Sequence, residues 1–117
     1  MLDYVFIELG GKTRKLKYDF NAVADIEAQA NMGLPALLMG PQAGFNTLRW
    51  LIWGGLKHEQ KNLMPWKVGD WLQQYMVEGG TYKQLMDLAM KALELGKVIG
   101  ATESETGEDE EGEAGNG

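Results

Sequence analysis

Apolar and polar residues alternate along the first part of the chain, which is the pattern of β-strands with one buried face. The alternation runs over residues 3–9 and 13–20, and Gly10-Gly11 lies between the two runs. Two glycines tolerate the positive φ angles of a tight two-residue turn. The residues expected on the buried face are Val5, Ile7, Leu9, Leu16, Tyr18 and Phe20. The pattern therefore predicts an antiparallel β-hairpin.

Beyond residue 20 the apolar residues recur every three or four positions, which is the spacing of α-helices. The pattern predicts four or five helices after the hairpin. The expected segments are a helix that follows Asn21 and is closed by Asn31-Met32-Gly33, a short turn or helix over 34–39, helices over about 45–57 and 65–78, and a last helix that follows Thr81 and has an apolar stripe reaching Ile99. An apolar stripe on the middle helix is expected to face the core, and its members are Phe45, Leu48, Ile52 and Leu56.

Small polar residues and glycines mark the expected helix ends. Asn21 is a candidate N-cap of the first helix and Thr81 of the last, while Gly33 is a natural residue after a helix end. Gly54-Gly55 lies inside a helical pattern, where each glycine costs roughly 1 kcal/mol relative to alanine. Such a pair marks either close approach of another part of the chain or a helix end.

A hairpin followed by helices is the order of an α+β domain, in which the helices pack on one face of a small antiparallel sheet. We expect residues 1–100 to form this globular domain. Residues 101–117 hold seven acidic and no basic residues, which predicts a disordered acidic tail. The tail accounts for the formal net charge of −6, because residues 1–100 alone carry +1. Since an isolated hairpin is marginally stable, its apolar face needs the helices or a strand from another subunit.

The residue types that catalysis and metal binding use are scarce in this chain. It has no cysteine, its one serine is Ser104 in the acidic tail, and its one histidine is His58 in a polar segment. No glycine-rich phosphate-binding motif is present in the sequence. A metal or catalytic role for His58 needs convergent partners, so a solvated loop position is the favoured interpretation. We therefore expect no enzymatic activity and no cofactor.

The sequence also bears on where the protein acts. The first eight residues lack the basic segment of a signal peptide. The longest dense apolar run, residues 50–56, is too short to span a bilayer. We expect neither secretion nor membrane insertion.

Four cations, Lys12, Arg14, Lys15 and Lys17, cluster at the hairpin turn and along the second strand. One interpretation is that they protect an exposed strand edge from aggregation. The other is a patch that faces an anion, either nucleic acid or the acidic tail of the same or a neighbouring subunit. The acidic balance of the chain and the lack of an evident set of stacking aromatics argue against nucleic acid.

Four tryptophans, Trp50, Trp53, Trp66 and Trp71, fall within 22 residues. Core packing is their simplest role. Tryptophan is also enriched at the energetic centres of protein interfaces, and four exceed what a core of this size usually contains. We expect one or two of them to contact a partner, together with adaptable methionine side chains.

Several segments resemble a known protein family. They are the hairpin and first helix, IELGGKTRKLKYDFNAVADIEAQANMG, and the segment LRWLIWGGLKHE that follows, with a late amphipathic helix and an acidic tail. These residues resemble the tail assembly chaperones of long-tailed phages and related gene-transfer particles over about residues 5–95. The shared motifs are structural and point to no catalytic residue.

The resemblance implies an assembly factor without enzymatic activity. Such proteins bind and solubilise the tape measure protein, a long helical rod, and help to bring tail tube subunits to it. They act in the host cytoplasm, self-associate, and are absent from the mature virion. Many members also have a longer frameshifted form, which a protein sequence does not reveal.

Two alternatives come from other classes of protein. The first is a small regulatory DNA-binding protein or antitoxin that uses the basic hairpin, which a salt-dependent shift of DNA by residues 1–100 would favour. The second is a structural component of the virion, which would be found in purified particles.

Overall fold

The structure, a computed structural model, describes residues 2–40 and 43–100. Within these ranges the chain forms two strands and five helices. The strands are β1 (Tyr4–Leu9) and β2 (Lys12–Lys17), and the helices are α1 (Phe20–Ala30), α2 (Leu34–Met39), α3 (Phe45–Leu56), α4 (Pro65–Val77) and α5 (Tyr82–Leu95). The expected α+β architecture, a hairpin followed by helices, is confirmed. The disordered tail expected over residues 101–117 lies outside the described residues.

The hairpin forms as the alternation predicts. β1 and β2 pair antiparallel, with Leu9 opposite Lys12 and Tyr4 opposite Lys17. Gly10 and Gly11 take φ angles of 63° and 82°, which suit the two central residues of a tight hairpin turn. The side chains buried beneath the sheet are Ile7, Leu9, Leu16 and Tyr18.

Helix α3 is the central element of the domain. It packs against β2, α1, α4 and α5, while α5 also lies against both strands. Every residue of α3 from Leu51 to Leu56 is buried. The hairpin therefore lies on α3 and α5, and α1 and α4 lie against α3.

The glycine pair in α3 allows this close packing. A side chain at Gly54 would overlap Ile26 of α1, and a Cβ at Gly55 would lie 2.8 Å from the ring of Tyr18. Close approach, one of the two alternatives that the sequence left open, is therefore confirmed, and the helix continues through both glycines and ends directly after them, at Leu56.

The first helix begins two residues earlier than the sequence predicts. Asp19, not Asn21, is its N-cap: the backbone of Asp19 is extended and its carboxylate accepts a hydrogen bond from the amide of Ala22 at 2.8 Å. A carboxylate at this place also interacts favourably with the positive end of the helix dipole. Asn21 lies inside the first turn because helical geometry begins directly at Phe20.

The end of α1 also differs from the prediction. Asn31 takes the left-handed conformation, with φ of 56°, while Gly33 has an extended backbone and precedes α2. Asparagine adopts this conformation more readily than most residues. The two helices are joined by Glu27, whose carboxylate accepts a hydrogen bond from the amide of Leu34 at 2.6 Å.

Two aromatic residues expected in the core are exposed. Phe20 begins α1 on its solvent side, and Phe45 begins α3 with 73% of its surface accessible. Both had fitted apolar periodicities whose other members are buried. An apolar periodicity does not show how far along a helix the neighbouring elements cover its side chains. The side chains of Phe20 and Phe45, at the first positions of α1 and α3, were therefore expected in the core although they are exposed.

The last helix begins as predicted. The hydroxyl of Thr81 accepts from the amide of Gln84 at 3.1 Å, and the side chain of Gln84 accepts from the amide of Thr81 at 3.0 Å. This reciprocal pair satisfies two amides that have no partner within the helix.

Candidate partner-binding groove

A groove of about 360 Å³ runs between α3 and α4. The residues that line it are Phe45, Asn46, Leu48, Arg49, Gly69, Leu72, Gln73 and Met76. Most of the groove surface is apolar, and the exposed side chain of Phe45 forms one of its edges. We call this surface the α3–α4 groove.

The α4 wall is one face of the helix. Gly69, Gln73 and Met76 follow one another at spacings of four and three residues, which places them on a common side. Trp66 precedes Gly69 by three residues and therefore lies on the same side. Its side chain is 60% exposed. The groove face of α4 thus continues into an accessible tryptophan.

Among residues 2–40 and 43–100, no contact requires a glycine at position 69. A Cβ at this position would meet only the Cδ atom of Arg49, at the ordinary contact distance of 3.6 Å. Glycine inside a helix costs about 1 kcal/mol relative to alanine. Unlike Gly54 and Gly55, which are required by contacts within the domain, Gly69 weakens α4 and leaves space in the groove.

The α3 wall supplies a positive charge. Arg49 donates from Nη2 to the side chain of Asn46 at 2.9 Å. Its Nε is buried, and no hydrogen-bond partner for it lies among residues 2–40 and 43–100. The groove therefore combines apolar side chains with a guanidinium whose hydrogen-bonding capacity the described part of the domain leaves partly unused.

The four tryptophans singled out from the sequence occupy different environments. Trp53 is buried and donates from Nε1 to the carbonyl of Leu63 at 2.8 Å. Trp50 is half-buried, with its ring 5.3 Å from that of Trp53 in an edge-on arrangement. Trp53 thus anchors the loop before α4, while Trp66 is the most accessible of the four.

Trp71 fixes the hairpin turn to α4. The guanidinium of Arg14 lies 3.8 Å from the centre of its ring, and Arg14 donates from Nε to the carbonyl of Leu9 at 2.7 Å. Gly10 packs so closely on Trp71 that a Cβ there would lie 2.6 Å from the indole. Both Arg14 and Trp71 therefore have contacts within the domain.

The four basic residues of the hairpin do not share one surface. Arg14 is only 7% exposed, and its burial lowers the pKa of the guanidinium, an effect that Glu59 opposes. The Nζ atom of Lys17 lies 3.5 Å from Oδ2 of Asp3. Lys12 and Lys15 are exposed. The side chains of Arg14 and Lys15 point to opposite faces of β2, because successive residues of a strand alternate.

His58 lies in the loop after α3 and is exposed, as expected, but it is not free. Its Nε2 donates to the carbonyl of Lys15 at 2.8 Å, and Glu59 accepts from the amide of Lys15 at 3.4 Å. Two side chains of this loop thus bind the backbone of β2. No group of three or more potential metal ligands is found among the described residues.

No model of a known protein family, no curated protein and no solved structure matches this chain. In the described ranges, none of the helices combines the length and the apolar character needed to cross a membrane.

Sequence reasoning missed the most informative residues of the groove. Gly69 and Arg49 were not singled out, and Phe45 was placed in the core. The one available signal was Gly69 itself, because it lies inside the predicted helix over 65–78, where the apolar periodicity continues without a break. Its significance depends on the space around it, which only the fold defines.

Proposed function

We propose that this protein is a non-enzymatic tail assembly chaperone that holds an amphipathic helix of the tape measure protein in the α3–α4 groove. The observation that carries the proposal is Gly69, a helix-weakening residue that preserves space in an apolar groove. Binding of an amphipathic helix in an apolar groove is a common mode of protein recognition.

The composition of the groove defines the partner's chemistry. Phe45, Leu72 and Met76 offer apolar surface to a stripe of apolar side chains at helical spacing. Arg49 favours a helix that carries a carboxylate beside that stripe, since a guanidinium can bind a carboxylate through two parallel hydrogen bonds. Trp66 extends the contact along α4, and exposed tryptophans of this kind often dominate binding.

The wider role follows from the resemblance of the hairpin, the first helix and the LRWLIWGGLKHE segment to tail assembly chaperones. In this role the protein keeps the tape measure protein soluble in the host cytoplasm, self-associates, helps to recruit the tail tube protein, and is absent from the mature virion. The acidic segment of residues 101–117 adds net negative charge, which favours the solubility of a crowded complex.

The DNA-binding alternative gains no support from the arrangement of the hairpin. Arg14 is buried against Trp71 and Lys17 lies beside Asp3, so two of the four cations are already engaged. We therefore put forward the chaperone as the single proposed function.

The test fills the groove without touching the core. Gly69→Leu places a branched side chain in the space that Gly69 leaves, and Gly69→Ala adds one methyl group that the structure accommodates. Each variant is expressed together with a tape measure protein, taken to be a very long helical protein encoded after this chain, and the amount of that protein in the soluble fraction is measured. We expect Gly69→Leu to lower this amount roughly tenfold, equivalent to about 1.4 kcal/mol of binding, and Gly69→Ala to retain most of it.

A matched control separates groove filling from added hydrophobicity. Ala28 is exposed on α1, and Ala28→Leu adds a comparable apolar side chain away from the groove. Thermal unfolding of each variant establishes that it is folded. A folded Gly69→Leu variant that solubilises the tape measure protein as well as Ala28→Leu does would overturn the proposal.

A further inference from the structure

The outer edges of β1 and β2 differ in whether their backbone groups have hydrogen-bond partners, and Lys15 of β2 shows this. Both its amide and its carbonyl bind side chains of the loop after α3, so both point away from β1. In an antiparallel pair, a residue with this orientation faces a residue whose own amide and carbonyl also point outward. That residue is Phe6, and the alternation along β1 gives Tyr4 and Glu8 the same outward orientation.

The outer edge of β1 is open. Among residues 2–40 and 43–100, no hydrogen bond reaches the outward backbone groups of Tyr4, Phe6 or Glu8. We call these three residues the open edge. The corresponding edge of β2 is covered at Lys15 by His58 and Glu59.

Apart from the charge of Glu8, the open edge lacks the features that usually prevent strands from pairing. β1 reads Tyr-Val-Phe-Ile-Glu-Leu, with no proline, no lysine and no bulge. Phe6 is 55% exposed, and its ring lies 5.3 Å from that of Tyr4. An exposed strand of β-branched and aromatic residues is a ready template for another strand.

We propose that the open edge pairs with the open edge of a second copy of this chain. The two β1 strands run antiparallel around a two-fold axis at Phe6, and the two hairpins form one four-stranded sheet. Phe6 then faces Phe6 of the second copy, and Tyr4 faces its Glu8. Each of these facing pairs exchanges two backbone hydrogen bonds.

The side chains favour this occupant and this register. Centring the pair on Phe6 uses all three residues of the open edge and keeps the two Glu8 carboxylates apart. Centring it on Glu8 would place these like charges opposite each other, which is unfavourable. On the other side of the sheet, the half-buried Val5 faces Ile7 of the second copy, so apolar surface continues across the two-fold axis.

This interface concerns the self-association that is part of the proposed function, and it is separate from the helix-binding groove. It uses the edge of β1, whereas the α3–α4 groove uses two helices and none of these residues. The Gly69→Leu variant is therefore expected to form the same dimer as the unmodified protein, so that failure of one proposal leaves the other standing.

Cysteine cross-linking tests the register directly, because the chain contains no cysteine. Facing residues of a hydrogen-bonded antiparallel pair have Cα atoms about 5.5 Å apart, a separation that suits a disulfide. Phe6→Cys of the full chain is expected to give a covalent dimer under mild oxidation. Thr13→Cys, on the same face of the hairpin but on β2, is the control and is expected to remain largely monomeric on denaturing gels.

A charge substitution tests the equilibrium. Phe6→Lys places two ammonium groups opposite each other at the axis, whereas Thr13→Lys makes the same charge change away from it. We expect Phe6→Lys to weaken dimerisation roughly tenfold or more in sedimentation measurements, with both variants folded by circular dichroism. A monomeric wild-type chain, a dimer that survives Phe6→Lys, or equal cross-linking of the two cysteine variants would overturn the proposal. The first of these outcomes would favour an extended peptide of another protein as the occupant.

Discussion

At the scale of single residues, Tyr18 connects the sheet to the central helix. It is fully buried, and its hydroxyl donates to the carbonyl of Leu51 in α3 at 2.5 Å. Burial disfavours the phenolate and raises the pKa of Tyr18 well above its ordinary value. The same side chain packs against Gly55, so Tyr18 contacts α3 both at this glycine and at the carbonyl of Leu51.

The raised pKa of Tyr18 predicts a loss of stability in alkali. The unfolded chain releases the phenolic proton near pH 10, while the folded chain retains it. The free energy of unfolding is therefore unaffected by this group below pH 10, and falls above it by about 1.4 kcal/mol per pH unit. Tyr18→Phe removes this dependence but loses a buried hydrogen bond, at a cost of about 1–3 kcal/mol at neutral pH.

Urea unfolding of the two proteins between neutral pH and pH 11 measures the difference. We expect the wild type to be the more stable protein at pH 7 and its advantage to shrink above pH 10. A difference that stays constant over this range would show that Tyr18 ionises equally well in the folded state.

Single residues were also where sequence reasoning was least accurate. Asn21 and Gly33 are suitable residues for helix ends, yet Asp19 and Asn31 occupy those positions. The position of each helix end depends on how the preceding strand or the following helix fixes the backbone. The preference of a residue for helix ends does not reveal this. The hairpin turn at Gly10-Gly11 was predicted correctly because sequence-local geometry alone determines it.

At the scale of secondary-structure elements, identical substitutions in α3 and α4 should have opposite effects. Gly55→Ala brings a methyl group against Leu16 and Tyr18, and such overpacking costs typically about 1–3 kcal/mol. Gly69→Ala meets no close neighbour and gains about 1 kcal/mol from helix propensity. We expect the midpoint of thermal unfolding to fall for Gly55→Ala and to rise for Gly69→Ala.

The comparison is internally controlled, because both changes add one methyl group to a helical glycine. A Gly69→Ala variant less stable than wild type would mean that Gly69 has a structural role, and it would remove the main support for the groove. Helix positions themselves were largely predictable, since α4 and α5 have strong periodicity and clear start signals. The helix faces that pack together could not be predicted, because they depend on how α3 crosses its four neighbouring elements.

At the scale of the whole molecule, the domain carries two separate surfaces. The α3–α4 groove suits a helix, and the open edge of β1 suits a strand. A sequence of this length predicts a core and an element order well, as the confirmed hairpin and helices illustrate. It does not predict which apolar residues stay exposed. Phe45 and Trp66 are large apolar residues of the kind found in protein cores, and they are accessible because no element among residues 2–40 and 43–100 covers them.

The contact between His58 and Lys15 has a consequence for stoichiometry. A strand with two available edges can keep adding copies, which produces a filament rather than a closed assembly. In the proposed dimer the loop after α3 would act as a stop. His58 and Glu59 cover β2 at Lys15, so each hairpin would offer one edge, and pairing of two such edges would leave none at which growth continues.

Removing the stop should change the size distribution. In a His58→Ala, Glu59→Ala double variant the amide and carbonyl of Lys15 lose their side-chain partners, and β2 becomes a second pairing edge. We expect species larger than dimers in sedimentation velocity experiments, whereas a Lys61→Ala, Asn62→Ala variant of the same loop should resemble the wild type. Unchanged dimers in the first variant would show that something other than these two side chains ends the sheet. In the proposed dimer, His58 and Glu59 together would thus limit the number of subunits.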